Sequence, residues 1–260
     1  MRYARFINKN GAKVYGILDG AQLREITAAP YLPYSETGNT YELGQVKLVA
    51  PSDPRVIMCA GTNYMDHIRE ANEKMPVKAN IPVHPLIFSK APNTVADPGQ
   101  GIEYPTNVER VDFEGELAVI IGKRCKKATK ETALSYVAGY TCLNDVSARD
   151  WQWTDEQWTR GKGLDTFCPF GPVVTDEIDP SNVGIRTRVN GELRQDGNSR
   201  DMIFDIPALI AYITEWVTLE PGDVIATGTP SGVGPVHVGD VIEIEIEGVG
   251  TLRNPVIPGE

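Results

Sequence analysis

Short strand-like segments, each ended by a turn signal, recur along most of this sequence and restrict the folds that it can adopt. In the first fifty residues, Asn10-Gly11 and Asp19-Gly20 supply the positive φ angles of two-residue hairpin loops. Later strand-like segments are residues 56–59, 117–121, 136–143, 186–189, 223–227 and 241–247. Because these strands do not alternate regularly with helices, the pattern predicts a strand-rich α+β fold rather than a doubly wound sheet.

Two further segments have the apolar spacing and end signals of helices. Thr62 or Asn63 can cap a helix from about Tyr64 to Lys74, which Pro76 ends. The second helix has an aspartate as its cap, a proline in its first turn and one apolar face. Its cap is Asp205, its proline is Pro207, and its face comprises Ile206, Leu209, Ile210, Ile213, Trp216 and Val217.

The first strands close near Ala50-Pro51, which divides the chain into two parts. We therefore expect a small N-terminal β domain over residues 1–52 and a larger domain over residues 53–260. Residues 75–85 contain three prolines and little periodicity, so they are predicted to form a loop. Long loops of this kind often act as lids.

Charge and composition exclude several classes of protein. A net charge of -10 argues against nucleic acid or an anionic membrane as a partner, since either would repel an acidic surface. An anionic substrate would therefore need a locally positive pocket. The N-terminus lacks the apolar core of a signal peptide and no apolar run could span a bilayer, so we expect a soluble cytoplasmic protein. Four scattered cysteines without a CxxC pair indicate neither a disulfide framework nor a thiolate zinc site.

Three carboxylates form the first candidate site. Glu114 and Glu116 lie two residues apart at the start of a predicted strand, so both project from one face of it. Asp145 follows another apolar segment. A set of oxygen ligands without Cys or His selects Mg²⁺, Mn²⁺ or Ca²⁺ over zinc. The alternative is a solvated strand face, as residues 243–247 illustrate, although two like charges beside an apolar run are costly without a cation.

Other polar residues could bind or activate a substrate. His67 and Glu70 have the i,i+3 spacing that lets a carboxylate orient a general base, or they form an ordinary surface pair. Arg149 and Lys162 flank a Trp-rich stretch and could receive an anion, or residues 160–163 form an exposed loop. The hydroxyl of Thr229, in a turn-rich loop, could hold a carboxylate. His84 and His237 have no acidic neighbour at helical spacing and are predicted to be structural.

Five blocks of sequence, taken together and in order, resemble the fumarylacetoacetate hydrolase superfamily over residues 56–256. The blocks are residues 61–70 (GTNYMDHIRE), 112–122 (DFEGELAVIIG), 143–152 (LNDVSARDWQ), 161–171 (GKGLDTFCPFG) and 227–234 (TGTPSGVG). The resemblance implies a mixed β-roll with flanking helices, a homodimer, and Mg²⁺ or Mn²⁺. Residues 59–64 lack the fourth carboxylate of the namesake enzyme. The chain therefore resembles the smaller branch, which includes acylpyruvate hydrolases, oxaloacetate decarboxylases and 2-hydroxyhepta-2,4-diene-1,7-dioate isomerases.

The same resemblance implies a role for each candidate residue. It makes His67 and Glu70 the water-activating pair and assigns Lys162 to the family's lysine. The implied metal ligands are Glu114, Glu116 and Asp145. The implied substrate contacts are Arg149, Gln152, Thr229 and a further pocket lysine, Lys90.

We therefore hypothesise a metal-dependent hydrolase that cleaves a C–C bond of a small 2,4-dioxo acid through an enolate. A decarboxylase or an isomerase that uses the same enolate chemistry is the first alternative. A catalytically silent, metal-bound β protein is the second. The sequence has no phosphate-binding loop, GxSxG motif or HExxH motif, so it favours none of the enzyme classes that depend on them.

Overall fold

A computed structural model describes residues 1–74 and 80–259 of the chain. These residues form twenty strands and five α-helices. The strands are β1 (Arg2–Ile7), β2 (Lys13–Asp19), β3 (Gln22–Ile26), β4 (Glu36–Glu42), β5 (Lys47–Val49), β6 (Ile57–Gly61), β7 (Leu86–Lys90), β8 (Val95–Ala96), β9 (Ile102–Tyr104), β10 (Val111–Phe113), β11 (Gly115–Ile121), β12 (Val137–Asn144), β13 (Ser147–Ala148), β14 (Cys168–Thr175), β15 (Gly184–Val189), β16 (Glu192–Asn198), β17 (Val224–Ala226), β18 (Gly234–Val236), β19 (Val241–Ile246) and β20 (Gly250–Pro258). The helices are α1 (Met65–Lys74), α2 (Lys130–Ala133), α3 (Arg149–Thr154), α4 (Thr159–Lys162) and α5 (Ile206–Thr214). Residues 75–79 of the predicted lid lie outside the described residues.

The described strands form sheets of twelve, five and three strands. The path through the largest is β4-β3-β2-β1-β14-β12-β11-β17-β6-β7, with β5 beside β1 and β8 beside β14. The others are β16-β15-β19-β20-β9 and β13-β10-β18. Most neighbours are antiparallel, whereas β17 and β6 run parallel, so the large sheet is mixed. The predicted strand-rich α+β fold is confirmed.

Strand β11 lies in the middle of the large sheet, between β12 and β17. All seven of its residues are buried. A strand that is covered on both faces requires a continuous apolar run, and residues 117–121 supply it. By contrast, β19 buries Ile242, Ile244 and Ile246 and turns its glutamates outward, as expected of a strand with one solvated face.

The register of these strands gathers the candidate residues at one end of the sheet. Gly115 at the start of β11 pairs with Asn144 at the end of antiparallel β12. The last residue of β17, Ala226, pairs with Ala118 of β11 and with Cys59 of parallel β6. The segments that leave β6, β12 and β17 therefore emerge beside the segment that enters β11.

The two predicted helices form, with one difference in extent. Helix α5 is capped as expected, since the Asp205 carboxylate accepts a hydrogen bond from the amide of Ala208 at 2.8 Å. The helix ends at Thr214, and Trp216 is 54% exposed. The prediction that Trp216 lies on the buried face was wrong, because the helical register stops two residues before it. No helix within residues 1–74 and 80–259 is long and apolar enough to cross a membrane.

The first fifty residues form strands β1 to β5, which continue the large sheet. Tyr3 of β1 pairs with Val174 of β14. The loop between β2 and β3 has two residues, as predicted near Asp19-Gly20. The loop that contains Asn10-Gly11 is longer than the predicted two residues, because the Asn8 side chain accepts hydrogen bonds from the amides of residues 10 and 12. The division of the chain at residue 52 stays a prediction.

Candidate functional site

Glu114, Glu116 and Asp145 come together at the end of the large sheet. They are 5%, 1% and 1% exposed, and each offers a carboxylate oxygen within 4.8 Å of the others. The backbone fixes this arrangement: the Asp145 amide donates to the Glu114 carbonyl at 2.9 Å, and the Asn144 side chain accepts from the Glu114 amide at 2.9 Å. The alternative of a solvated strand face does not apply to Glu114 and Glu116.

This donor set fits a hard divalent cation. It consists of oxygen atoms, which Mg²⁺ and Mn²⁺ prefer, and the three carboxylates converge from two adjacent strands. Burial, together with the negative charges of Asp145 and Glu114, raises the pKa of Glu116 well above its ordinary value. A cation between the carboxylates would relieve this repulsion. The buried triad could therefore hold a metal ion.

Two buried lysines neutralise part of the negative charge. Lys162 donates to Glu114 Oε2 at 2.7 Å and to Asp145 Oδ2 at 2.8 Å. Burial lowers the pKa of Lys162, but the two carboxylates outweigh it and raise that pKa overall. Residues 160–163 are thus not simply an exposed loop: Arg160 is exposed and pairs with Asp155, whereas Lys162 is 2% exposed and lines the cavity.

Lys90 lies behind Asp145. It donates to Asp145 Oδ1 at 2.6 Å and to the Val146 carbonyl at 3.0 Å, and it is 1% exposed. Lys90 is not among the described residues that line the cavity. The arrangement suits a residue that positions Asp145 better than it suits the predicted contact with substrate.

Arg149 is held by protein side chains on all sides. Its Nε donates to Asp112 at 2.9 Å, its Nη1 donates to Gln152 at 2.6 Å, and its Nη2 donates to Glu114 Oε1. Burial raises the pKa of Glu114, but the cations of Arg149 and Lys162 lower it below its ordinary value. Arg149 and Gln152 both line the cavity, so contact with a substrate stays a prediction.

His67 and Glu70 form a pair at the wall of the cavity. His67 is 7% exposed, and its Nδ1 lies 3.9 Å from Glu70 Oε2, beyond hydrogen-bond distance. Glu70 accepts hydrogen bonds from the Gly232 amide at 2.7 Å and from Lys74 at 2.8 Å. Although burial raises the pKa of Glu70, its contacts with His67, Lys74 and the Gly232 amide lower it to about 2. The buried imidazole argues against an ordinary surface pair.

Thr229 is connected to the metal-site strand. Its hydroxyl donates to the Gly115 carbonyl at 2.9 Å and accepts from Gln195 Nε2 at 2.8 Å. Since a hydroxyl has one hydrogen, the predicted donation to a substrate carboxylate would require Thr229 to release Gly115. The backbone amide of Gly228 is likewise engaged, by Glu116 Oε2 at 2.7 Å.

Two buried residues that were not predicted from the sequence support the site. Gln195, in β16 of the five-stranded sheet, also accepts from the Gly115 amide at 3.0 Å. Asp112 accepts from Arg149 and from Arg110, which donates to it at 2.8 and 3.0 Å. Asp112 lies within a motif block and could have been selected, but Gln195 follows an arginine in a polar strand and carries no local signal.

A cavity of about 430 Å³ opens onto these groups. The candidate residues that line it are His67, Glu114, Glu116, Asp145, Arg149, Gln152, Lys162 and Thr229. Parts of the predicted loop also line it, namely Asn80, Pro82, His84 and Pro85. His84, predicted to be structural, stacks on Tyr212 with ring centroids 6.2 Å apart. The carboxylate triad, His67 and Lys162 therefore line one cavity.

A model of the fumarylacetoacetate (FAA) hydrolase C-terminal family matches residues 56–257. The chain belongs to the fumarylacetoacetate hydrolase family. The model of a second family, described as "Rv2993c-like, N-terminal", matches residues 1–51 of the chain. The resemblance drawn from the five motif blocks is confirmed.

The relatives of this chain have names that refer to different reactions. Oxaloacetate tautomerase YisK from Bacillus subtilis is 44% identical over 91% of the chain and 82% of the relative. The structure of a 2-hydroxyhepta-2,4-diene-1,7-dioate isomerase from Mycobacterium marinum is 40% identical, with a TM-score of 0.89 over 99% of this chain and 98% of that one. Maleylpyruvate hydrolase from Sphingobium, solved with manganese (II) and pyruvate, is 32% identical, with a TM-score of 0.81 over 100% of both chains.

Proposed function

We propose that this chain is a divalent-metal-dependent enzyme that moves a proton at C3 of a small 2-oxo acid and so interconverts its keto and enol forms. The observation that carries the proposal is that His67, Lys162 and the carboxylate triad line one cavity. A base, a cation and a candidate metal site are the groups that enolate formation requires. The names of the tautomerase and isomerase relatives support the same chemistry.

Glu114, Glu116 and Asp145 would hold Mg²⁺ or Mn²⁺, with Ca²⁺ as a further possibility for an oxygen site. When bound, the ion supplies a Lewis acid toward the carboxylate and the 2-oxo oxygen of the substrate. Lys90 and Arg149 hold Asp145 and Glu114 in place, which keeps the carboxylates from rearranging. These two residues are positioning residues in the proposal.

His67 acts as the base. Glu70 faces Nδ1 of the imidazole, so Nε2 is the ring nitrogen left to take a proton from C3. The ionised Glu70 is itself fixed by the Gly232 amide, and it stabilises the imidazolium that forms. The Lys162 ammonium faces the same space and stabilises negative charge that develops on the 2-oxo oxygen.

Hydrolysis of a C–C bond in a 2,4-dioxo acid is the second candidate. The same His67 and Glu70 pair could activate a water molecule instead of C3, and the maleylpyruvate hydrolase relative favours this reaction. The two reactions share the enolate and differ in whether water attacks the distal carbonyl. Decarboxylation of oxaloacetate passes through the same enolate and is tested in the same assay.

The test assays oxaloacetate and acetylpyruvate side by side with Mg²⁺, Mn²⁺ or EDTA. We expect metal-dependent loss of the enol absorbance of oxaloacetate, and His67→Ala should lose at least about a hundredfold in rate, as expected for a general base. Release of pyruvate from acetylpyruvate would indicate the hydrolase, and release of carbon dioxide from oxaloacetate would indicate the decarboxylase. His237→Ala, at an exposed histidine outside the cavity lining, is the matched control. If neither compound reacts with either metal, the proposal is wrong.

A further inference from the structure

The cavity extends from the polar groups along an aromatic wall. The ring of Phe88 lies 5.1 Å from the Lys162 ammonium, and Trp158 packs against Phe88 edge to face with ring centroids 5.2 Å apart. Trp158 and Lys162 belong to the same helical turn, because the Lys162 amide donates to the Trp158 carbonyl at 2.9 Å. The aromatic rings of Phe88 and Trp158 therefore lie next to the charged groups of the cavity.

Gly61 lies directly against this wall. A β-carbon built on Gly61 would lie 2.8 Å from Trp158 Cζ3 and 3.0 Å from Leu86 Cδ2. The contact with Trp158 is shorter than real β-carbons make, so an alanine at this position would displace the indole, or the leucine beside it, from its place in the cavity lining. Glycine at position 61 therefore lets Trp158 and Leu86 pack directly against the backbone of β6.

The fixed charges among the described residues that line the cavity form one cluster. Among the described residues that line it, every Lys, Arg, Asp and Glu belongs to the triad or is Arg149 or Lys162. The other described lining residues include Trp153, Trp158, Phe88, Leu86 and two prolines, together with the polar Thr62 and Asn80 and the titratable His84. A second carboxylate against this largely apolar part of the lining would lose hydration, with no fixed cation among the described lining residues outside the charged cluster as compensation.

The volume leaves room for such an apolar group. Pockets of roughly 300–1,000 Å³ enclose ligands the size of typical drugs. This cavity, of about 430 Å³, lies in that range. A four-carbon acid with its polar atoms at the triad would fill only part of it.

We propose that the substrate is a 2-oxo acid whose far end is an uncharged apolar group, alkyl or aryl, held against the wall that Trp158, Phe88 and Leu86 form over Gly61. The inference rests on the proposed function and narrows it to a substrate class. It sets these four residues as the ones that determine specificity, whereas the triad and His67 act on the 2-oxo acid end that every candidate shares.

The test follows deuterium incorporation at C3 of 2-oxo acids in D₂O by NMR, with Mn²⁺ or Mg²⁺ present. A first pair, 2-oxohexanoate and 2-oxoadipate, has matched carbon chains that end in a methyl group or a carboxylate. We expect kcat/KM for 2-oxohexanoate to be higher by about tenfold or more, the scale at which apolar pockets discriminate. Equal values, or a preference for 2-oxoadipate, would overturn the inference.

A second pair, 2-oxo-4-phenylbutanoate and 2-oxobutanoate, tests the residues. Gly61→Ala should lower kcat/KM for the phenyl compound by about tenfold or more and change the value for 2-oxobutanoate by less than about threefold. Gly44→Ala is the control, since a β-carbon there would meet no atom within 4 Å. An equal loss on both compounds in Gly61→Ala would contradict the assignment of the wall.

Failure of the proposed function would give a different result from failure of the apolar subsite. If none of the four acids exchanges deuterium with either metal, the enolisation proposal is wrong, and calorimetric binding of the same pairs in the presence of Mg²⁺ decides the inference. Tighter binding of the apolar member of each pair, weakened by Gly61→Ala for the phenyl compound, would support the apolar subsite. Absence of that preference would overturn it.

Discussion

Lys162 stands between two of the three carboxylates and donates to both. Replacing it by methionine keeps most of the side-chain volume but leaves Glu114 and Asp145 with less positive charge in a buried site. We expect Lys162→Met to lower the free energy of unfolding by about 3–5 kcal/mol in EDTA, the cost of breaking a buried ion pair. The deficit should shrink when Mn²⁺ is added, because the charge of the ion replaces that of the lysine. Urea denaturation with and without Mn²⁺ measures both values.

Arg160→Met is the matched control for Lys162→Met, because it removes a cation from the same helix. Arg160 is exposed and pairs with Asp155 at the surface. Its loss should change the free energy of unfolding by less than about 1 kcal/mol, with no dependence on Mn²⁺. Equal effects of the two substitutions would show that the buried lysine does not balance the carboxylates.

The lowered pKa of Glu70 predicts that the stability of the fold depends on pH. Its pKa falls from 4.5 to about 2 in the folded chain, so the ionised carboxylate stabilises the fold above about pH 4.5, and this contribution is lost as the pH falls toward 2. Glu70→Gln should therefore lower the free energy of unfolding by about 1–3 kcal/mol at pH 7, and by less at about pH 3.5. Urea denaturation of both forms across this range measures the difference.

Glu73→Gln, in the same helix, provides the comparison for Glu70. Glu73 is exposed, and its replacement should change stability by no more than about 0.5 kcal/mol at any pH. A Glu70→Gln deficit that stays constant from pH 7 to about pH 3.5 would mean that the charge of Glu70 is not what stabilises the fold.

At the scale of elements, Gly115 sets how closely β11 approaches the five-stranded sheet. A β-carbon on Gly115 would overlap Thr187 Oγ1 of β15, so alanine cannot fit unless Thr187 or the backbone between Glu114 and Glu116 shifts. We expect Gly115→Ala to weaken Mn²⁺ binding by about tenfold or more, since displaced ligand positions cost metal affinity. Calorimetric titration with Mn²⁺ measures the effect.

A second substitution, Thr187→Ala, should restore Mn²⁺ binding to the Gly115→Ala variant. Its hydroxyl is buried and has no hydrogen-bond partner among the described residues, so its removal should cost little. The Gly115→Ala/Thr187→Ala double variant should recover much of the affinity for Mn²⁺, because the closest contact is gone. A double variant as weak as Gly115→Ala alone would place the cause elsewhere.

The elements that could be predicted are those with a strong local pattern. Residues 117–121 and 136–143 correspond to β11 and β12, and both predicted helices form at nearly the expected positions, because apolar runs are local signals. The Asp205 cap of α5 is equally local, whereas Asn63, a predicted cap of α1, accepts from the amide of Phe204 instead. Pairing between distant strands is not local. Only the structure shows that β11 lies between β12 and β17, or that Gln195 reaches Gly115 from another sheet.

The candidate site was predictable to a similar degree. The triad, His67 and Lys162 share one cavity, as the resemblance implied, because motif blocks retain the chemistry of a site. The partners of Arg149, Lys90 and Thr229 could not be read from the sequence. Each of these side chains is engaged by a group that only the fold brings near, such as Asp112 for Arg149.

At the scale of the whole molecule, the family resemblance leads us to propose a homodimer. Ile81 and Val83, just before edge strand β7, are 59% and 85% exposed, and exposed apolar residues beside a sheet edge are suited to contact with a second copy. Light scattering should give about twice the chain mass of 28.5 kDa. Val83→Asp should shift this mass toward the monomer and Val238→Asp, at a 51% exposed valine in another region, should not. A wild-type mass of a single chain would contradict the proposal.

We propose above that Glu114, Glu116 and Asp145 form a divalent-metal site. Calorimetric titration of the wild-type chain and of Glu114→Ala/Glu116→Ala with Mg²⁺ and Mn²⁺ tests this site. Glu243→Ala/Glu245→Ala removes two carboxylates at the same spacing from strand β19 and is the matched control. We predict that the wild type and the control bind the metal equally and that Glu114→Ala/Glu116→Ala does not. Unchanged Mg²⁺ and Mn²⁺ affinity in a folded Glu114→Ala/Glu116→Ala variant would contradict the account.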